Sequence, residues 1–152
     1  MTASQRRKGK AGELELAGRI RDLSGWDVRR RVRQHDGDSD LEGIPGWSVE
    51  VKRHKAAGRA EIGQWWRQTV QQATRVATDT TNAATARISC RLPVLFYRLD
   101  RADWRAVWPV SVLLTHQRAE MWTDYAWTCE SSVEAWAAVA RESVIMTSSH
   151  EK

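Results

Sequence analysis

The sequence predicts an α/β domain, a central mixed β-sheet flanked by helices, and three observations predict it. Apolar residues recur at the helical period in two stretches, Gly9 to Gly25 and Arg59 to Ala77. Short runs such as WSVEVKR and PVLFYRL are either alternating or uniformly apolar, as half-buried and inner strands are. Turn-forming residues separate these segments.

The first helix places Leu16, Ala17, Ile20 and Leu23 on one face and stops at Ser24-Gly25, with Glu13 near its first turn. WDVRRRV then alternates: Trp26, Val28 and Val32 face one way, and Asp27, Arg29, Arg31 and Arg33 the other. QHDGDSD is a polar loop, LEG a very short strand, and IPG a tight turn into WSVEVKR. The second helix lines Ile62, Trp65, Trp66, Thr69, Val70, Ala73 and Val76 along a broad face. TDTTNAATA reads as a mobile connection. PVLFYRL and WRAVWPV form a hairpin or adjacent pair that ends at Pro109. SVLLTHQR supplies a helical turn or two, and SSVEAWAAVARES a last helix with a capping box from Ser131 to Glu134.

With 152 residues the chain fits a single domain: a flexible basic arm over 1–11, a core over 12–110 and a C-terminal helical extension over 111–152. Charge is concentrated rather than spread. Residues 1–33 carry ten Lys/Arg against four Asp/Glu, whereas the remainder is nearly balanced, so a polyanion partner, nucleic acid before membrane, is expected. Cys90 and Cys129 lack metal spacing and read as reduced thiols. No apolar leader or span of roughly 20 apolar residues is present, which implies a cytoplasmic location. ATP-binding, zinc-protease and serine-hydrolase signatures are absent.

The stretch SVEVKRH carries the chemistry. Successive strand residues face opposite ways, so Trp47, Val49 and Val51 share one face and Ser48, Glu50 and Lys52 the other. Asp40 lies ten positions before Glu50, far enough for two strands and a turn to bring both carboxylates to one cation. Mg²⁺, with Mn²⁺ as a substitute, needs only one or two carboxylates and keeps several waters. Lys52 would then orient the attacking water or neutralise charge on the phosphate. The plainer alternative is that Glu50 and Lys52 form an ion pair worth under ~1 kcal/mol.

DSDLEG followed by SVEVK resembles the signature of the PD-(D/E)XK nuclease superfamily, with Asp40 as its metal aspartate and Glu50-Val51-Lys52 as its (D/E)XK element. RKGKAGELEL is similar to the opening of archaeal-type Holliday junction resolvases and their phage relatives, and LPVLFYRLDRADWRAVWP to the family's final strand pair. The resemblance implies a restriction-endonuclease-like core and Mg²⁺-dependent endonucleolytic cleavage of branched DNA in a bacterial or phage-infected cell. It also implies a homodimer, since two symmetric nicks need two sites. It makes Glu13 the third metal carboxylate and places Gln68 or Gln72 of the second helix beside the site. Two departures stand out: Ser39 replaces the motif's proline, and Asp36 and Asp38 compete with Asp40. TDTTNAATARIS is an insertion relative to the family.

Arg6, Arg7, Lys8, Lys10, Arg29, Arg31, Arg33, Arg53, His54 and Lys55 are the candidate DNA contacts, each equally readable as solvated surface. Trp65 and Trp66 offer base-stacking surfaces but have the spacing of core residues. The alternatives to a junction resolvase are a restriction- or repair-type nuclease with the same site, and a DNA-binding module without catalysis.

Overall fold

A computed structural model describes residues 2–32, 39–75, 91–114 and 119–148. Helix α1 spans Ala3–Ser24, strand β1 Arg29–Arg30, β2 Leu41–Glu42, β3 Trp47–His54 and α2 Arg59–Arg75. Then come β4 Leu92–Leu99, β5 Arg105–Pro109, three short 3₁₀ turns, β6 Thr128–Ser131 and α3 Val133–Ser148. The main sheet has the order β3-β4-β5-β6; β3 and β4 are parallel across the α2 connection, and the other pairs are antiparallel. β1 and β2 form a separate antiparallel pair beside it. This is the α/β, mixed-sheet arrangement expected.

Each face of the sheet has its own core. On one, α1 and α3 bury Leu16, Ile20, Trp136 and Ala140 against Trp47, Val49, Val94, Phe96 and Trp108. On the other, α2 lays Trp65 and Trp66 over Leu95, Tyr97 and Val107. Both indoles therefore serve as core, and the Trp66 Nε1–H donates to the Thr123 carbonyl at 3.0 Å. The alternation of β3 is real, since Val49 packs with the α1–α3 core while Glu50 and Lys52 face the other way.

Four expectations are corrected. Residues 3–11 are helix rather than a flexible arm, because Thr2 and Gln5 close a capping box and Lys8 reaches across to Asp100 at 2.5 Å. Glu13 consequently lies in the middle of α1, not in its first turn. WDVRRRV contributes a strand of only two residues, and Val32, expected inside, is 84% exposed. The C-terminal extension is no appendage: β6 completes the main sheet and α3 fills its core, capped by Ser132 on the Ala135 N–H at 3.1 Å, not by Ser131. Arg33, His35, Asp36, Asp38, Cys90 and the TDTTNAATARIS insertion lie outside the described residues. Cys129 is a free, half-buried thiol, pushed up to about 11 by burial.

Two glycines set distances that matter. Gly43 has φ +88°, and a Cβ there would lie 2.2 Å from the Asp27 carbonyl oxygen, so only glycine lets β2 approach the chain entering β1. Gly43→Ala is expected to cost at least about 2 kcal/mol, from left-handed strain and the backbone clash together, read as a lowered midpoint in urea. Gly12 brings α1 onto the sheet, because a Cβ would meet Arg53 Cδ at 3.3 Å and Trp104 at 3.4 Å.

A charged clamp ties three elements. Arg19 of α1 donates from Nη1 to Asp103 at 2.7 Å, and from Nη2 to Glu134 of α3 at 2.5 Å. The guanidinium holds the Asp103 carboxyl down at about 2 and lowers that of Glu134. Folding therefore gains from this clamp above the unfolded carboxylate value of 3.8 and loses it as pH falls toward 2. Arg19→Gln should flatten the fall in melting temperature between about pH 4 and pH 2, without changing the trend above pH 5.

Candidate active site

β3 is an edge strand of the main sheet, and an edge leaves backbone groups in want of partners. The chain just before β2 supplies them. The Asp40 N–H donates to the Val49 carbonyl at 2.8 Å, the Val49 N–H to Ser39 Oγ at 2.9 Å, and the Val51 N–H to Asp40 Oδ2 at 2.7 Å. Ser39, the departure from the motif's proline, is thus a buried hydroxyl that substitutes for a strand neighbour, also donating to the Leu41 carbonyl at 2.6 Å. From the far side the Arg31 N–H holds the Asp40 carbonyl at 3.0 Å. Asp40 is fixed by its backbone on two sides and by one carboxylate oxygen.

Charged side chains surround it. The Asp40 carboxyl is pushed up to about 7, first by burial and next by the negative charge of Glu50, with Glu13 adding to the rise. The Val51 N–H and Lys52 pull against it. All four predicted residues, Glu13, Asp40, Glu50 and Lys52, therefore share one electrostatic neighbourhood, assembled from α1, the approach to β2, and β3. Lys52 Nζ lies 2.7 Å from Glu50 Oε1 with both side chains mostly buried, at 23% and 16% exposed, so this is not the solvated surface pair of the plainer alternative.

Glu13 is bonded to Arg30, whose Nε donates to Oε2. Nothing in the sequence motif singled out Arg30. The available signal was parity: position 30 falls on the Trp26, Val28 and Val32 side of the alternation, where a charge needs a buried partner. The neighbouring Glu15, also in the RKGKAGELEL run, turns to other partners, accepting from Arg98 at 2.6 Å and from the Trp104 indole at 3.1 Å.

The other predicted residues are more scattered. Gln68 is exposed on α2, one turn before the buried Gln72. Arg6, Arg7 and Lys10 are exposed or nearly so along the first half of α1. Lys8 is tied to Asp100, Arg29 to Asp27 at 2.8 Å, and Arg31 lies 3.6 Å from Glu42. Arg53, His54 and Lys55 close β3, next to the α1 face where Gly12 meets Arg53. The His54 ring stacks on Trp65 at 4.6 Å, and burial followed by the nearby Lys52 lowers its pKa.

Among the described residues no three His, Cys, Asp or Glu side chains stand close enough to form a ready metal cage. Two of the three carboxylates are turned toward cations. The donor set nevertheless suits a hard divalent ion: carboxylate oxygens only, one of them on a half-buried acid whose ionisation a cation would favour. No helix among the described residues is long and apolar enough to cross a membrane.

An edge strand bearing Glu-x-Lys, with an aspartate clipped to its free edge and a helix glutamate alongside, defines a restriction-endonuclease-like nuclease core. The family model of phage putative PDDEXK endonucleases matches residues 4–138, and the chain belongs to that family. The match runs through the N-terminal basic turns and into α3, in keeping with their place in the fold. No curated protein and no solved structure matches the chain. Nucleases of this kind typically use divalent metals and act on nucleic acid.

Proposed function

We propose that the protein is a Mg²⁺-dependent DNA endonuclease acting on branched DNA, as a homodimeric Holliday junction resolvase, with Asp40, Glu50 and Glu13 holding the ion. The observation that carries this reading is the Val51 N–H to Asp40 bond at 2.7 Å, which ties the aspartate to the strand carrying Glu50 and Lys52. When bound, the ion would polarise a phosphate oxygen and acidify an attacking water. Asp40 and Glu50 would orient it, Glu13 complete its ligands, and Lys52 stabilise charge as it grows on the phosphate. Arg6, Arg7 and Lys10 on α1, with Arg53, His54 and Lys55 at the end of β3, would follow the DNA backbone. A homodimer in the cytoplasm of an infected cell fits paired nicks across a junction.

The branched-DNA part of the reading is separable from the nuclease part. Four-way junctions, flaps and linear duplex of matched sequence are incubated with and without Mg²⁺. The resolvase reading expects paired, metal-dependent nicks in the junction and little else. Equal cutting of linear duplex would turn the reading to a restriction- or repair-type enzyme. Binding without cutting under every metal condition would favour a DNA-binding module.

A further inference from the structure

Arg30 occupies an unusual place. It lies on β1 in register with Leu41, one residue from the Arg31 N–H that holds Asp40, so its backbone is anchored beside the aspartate. Its side chain reaches Glu13 of α1, and the pair is withdrawn from water, at 23% and 14% exposed. A glutamate oxygen engaged by a guanidinium is a poor ligand for a cation, and among the described residues the carboxylates do not converge into a cage. A phosphodiester offers that guanidinium a better-matched partner, since the planar fork binds phosphate oxygens in pairs.

Resting on the metal site proposed above, we infer that Arg30 is a latch on Glu13 that couples uptake of the divalent ion to arrival of DNA. In the free protein it neutralises the glutamate. When a phosphate draws the guanidinium away, the Glu13 carboxylate is freed from the ion pair to complete the ligand set. The coupling is reciprocal, so the ion tightens on DNA binding and DNA tightens on ion binding. Arg30 is a positioning residue in this scheme, acting through Glu13.

The test reads Mn²⁺ affinity, by electron paramagnetic resonance of the free ion, in the full-length protein and its Arg30→Ala, Arg30→Gln and Arg30→Lys variants. Asp40→Asn serves as the site control, and thermal melts check folding. Without DNA, Arg30→Ala and Arg30→Gln are expected to bind Mn²⁺ about five- to fiftyfold more tightly than the parent, and Arg30→Lys to restore the parent value. Adding a four-way junction with phosphorothioate links, verified intact on a gel, should tighten the parent and leave Arg30→Ala nearly unchanged. Unchanged or weaker Mn²⁺ binding by folded Arg30→Ala or Arg30→Gln, while Asp40→Asn loses binding, would overturn the latch and spare the metal site. Equal binding by the parent and Asp40→Asn, or none by either, would overturn both.

Discussion

Asp40→Asn and Glu50→Gln are each expected to lower DNA cleavage by at least about 10²–10³-fold, the loss typical of removing one preorganised electrostatic group. DNA affinity measured without divalent metal should stay within about threefold, because phosphate contacts from basic residues dominate it. Asparagine keeps an oxygen for the Val51 N–H, so the clip on β3 survives while the charge is lost. A second consequence separates function from folding. Asp40 titrates near 7 in the native protein against 3.8 when unfolded, so its ionisation opposes folding increasingly as pH rises from about 4 to about 7. Metal-free Asp40→Asn should therefore be more stable than the parent at pH 8, by about 1–2 kcal/mol after allowance for partial solvation, measured by urea unfolding. A variant at once inactive and more stable has lost a functional group, not its fold.

The largest effect on stability is expected at Trp136. Its indole is fully buried on α3, edge-on to Trp47 at 5.5 Å and to Phe96 at 4.9 Å, and thus joins the last helix to the strand that carries Glu50 and to its neighbour. Trp136→Ala should cost about 3–5 kcal/mol, a large share of the 5–15 kcal/mol that holds a typical domain together. Trp136→Phe should cost far less, because the Trp136 Nε1–H is buried with no partner among the described residues and phenylalanine removes that donor. Urea midpoints of the two variants check the contrast. If α3 were an independent appendage, Trp136→Ala would leave the main unfolding transition of the domain untouched.

The strand that bears Glu50 and Lys52 was legible because its alternation is uninterrupted and IPG delimits it; its neighbours β4 and β5 were legible as apolar runs around a turn. Asp40 was legible through its distance from Glu50 and the short LEG strand between them. Other parts were hidden for physical reasons. The first turns of α1 carry no apolar stripe and are held by a cap and a cross-molecule ion pair, neither of which hydrophobic periodicity reports. β6, with the sequence TCES, has little strand character of its own and exists because β5 offers it an edge. Arg30 was hidden because the alternation of WDVRRRV puts it on the apolar side but does not name its partner, Glu13 of α1, which only the fold brings to it. Ser39 looked like a flaw in a motif and is instead a set of hydrogen bonds that proline could not make.

Joint binding of a divalent ion by Asp40 and Glu50 is tested most closely by anomalous diffraction from crystals of the protein grown with Mn²⁺ and DNA. One strong peak at about 2.0–2.5 Å from a carboxylate oxygen of each residue is the expected result. Mn²⁺ bound elsewhere, with Asp40 and Glu50 both free of it beside ordered DNA, would rule out this metal site.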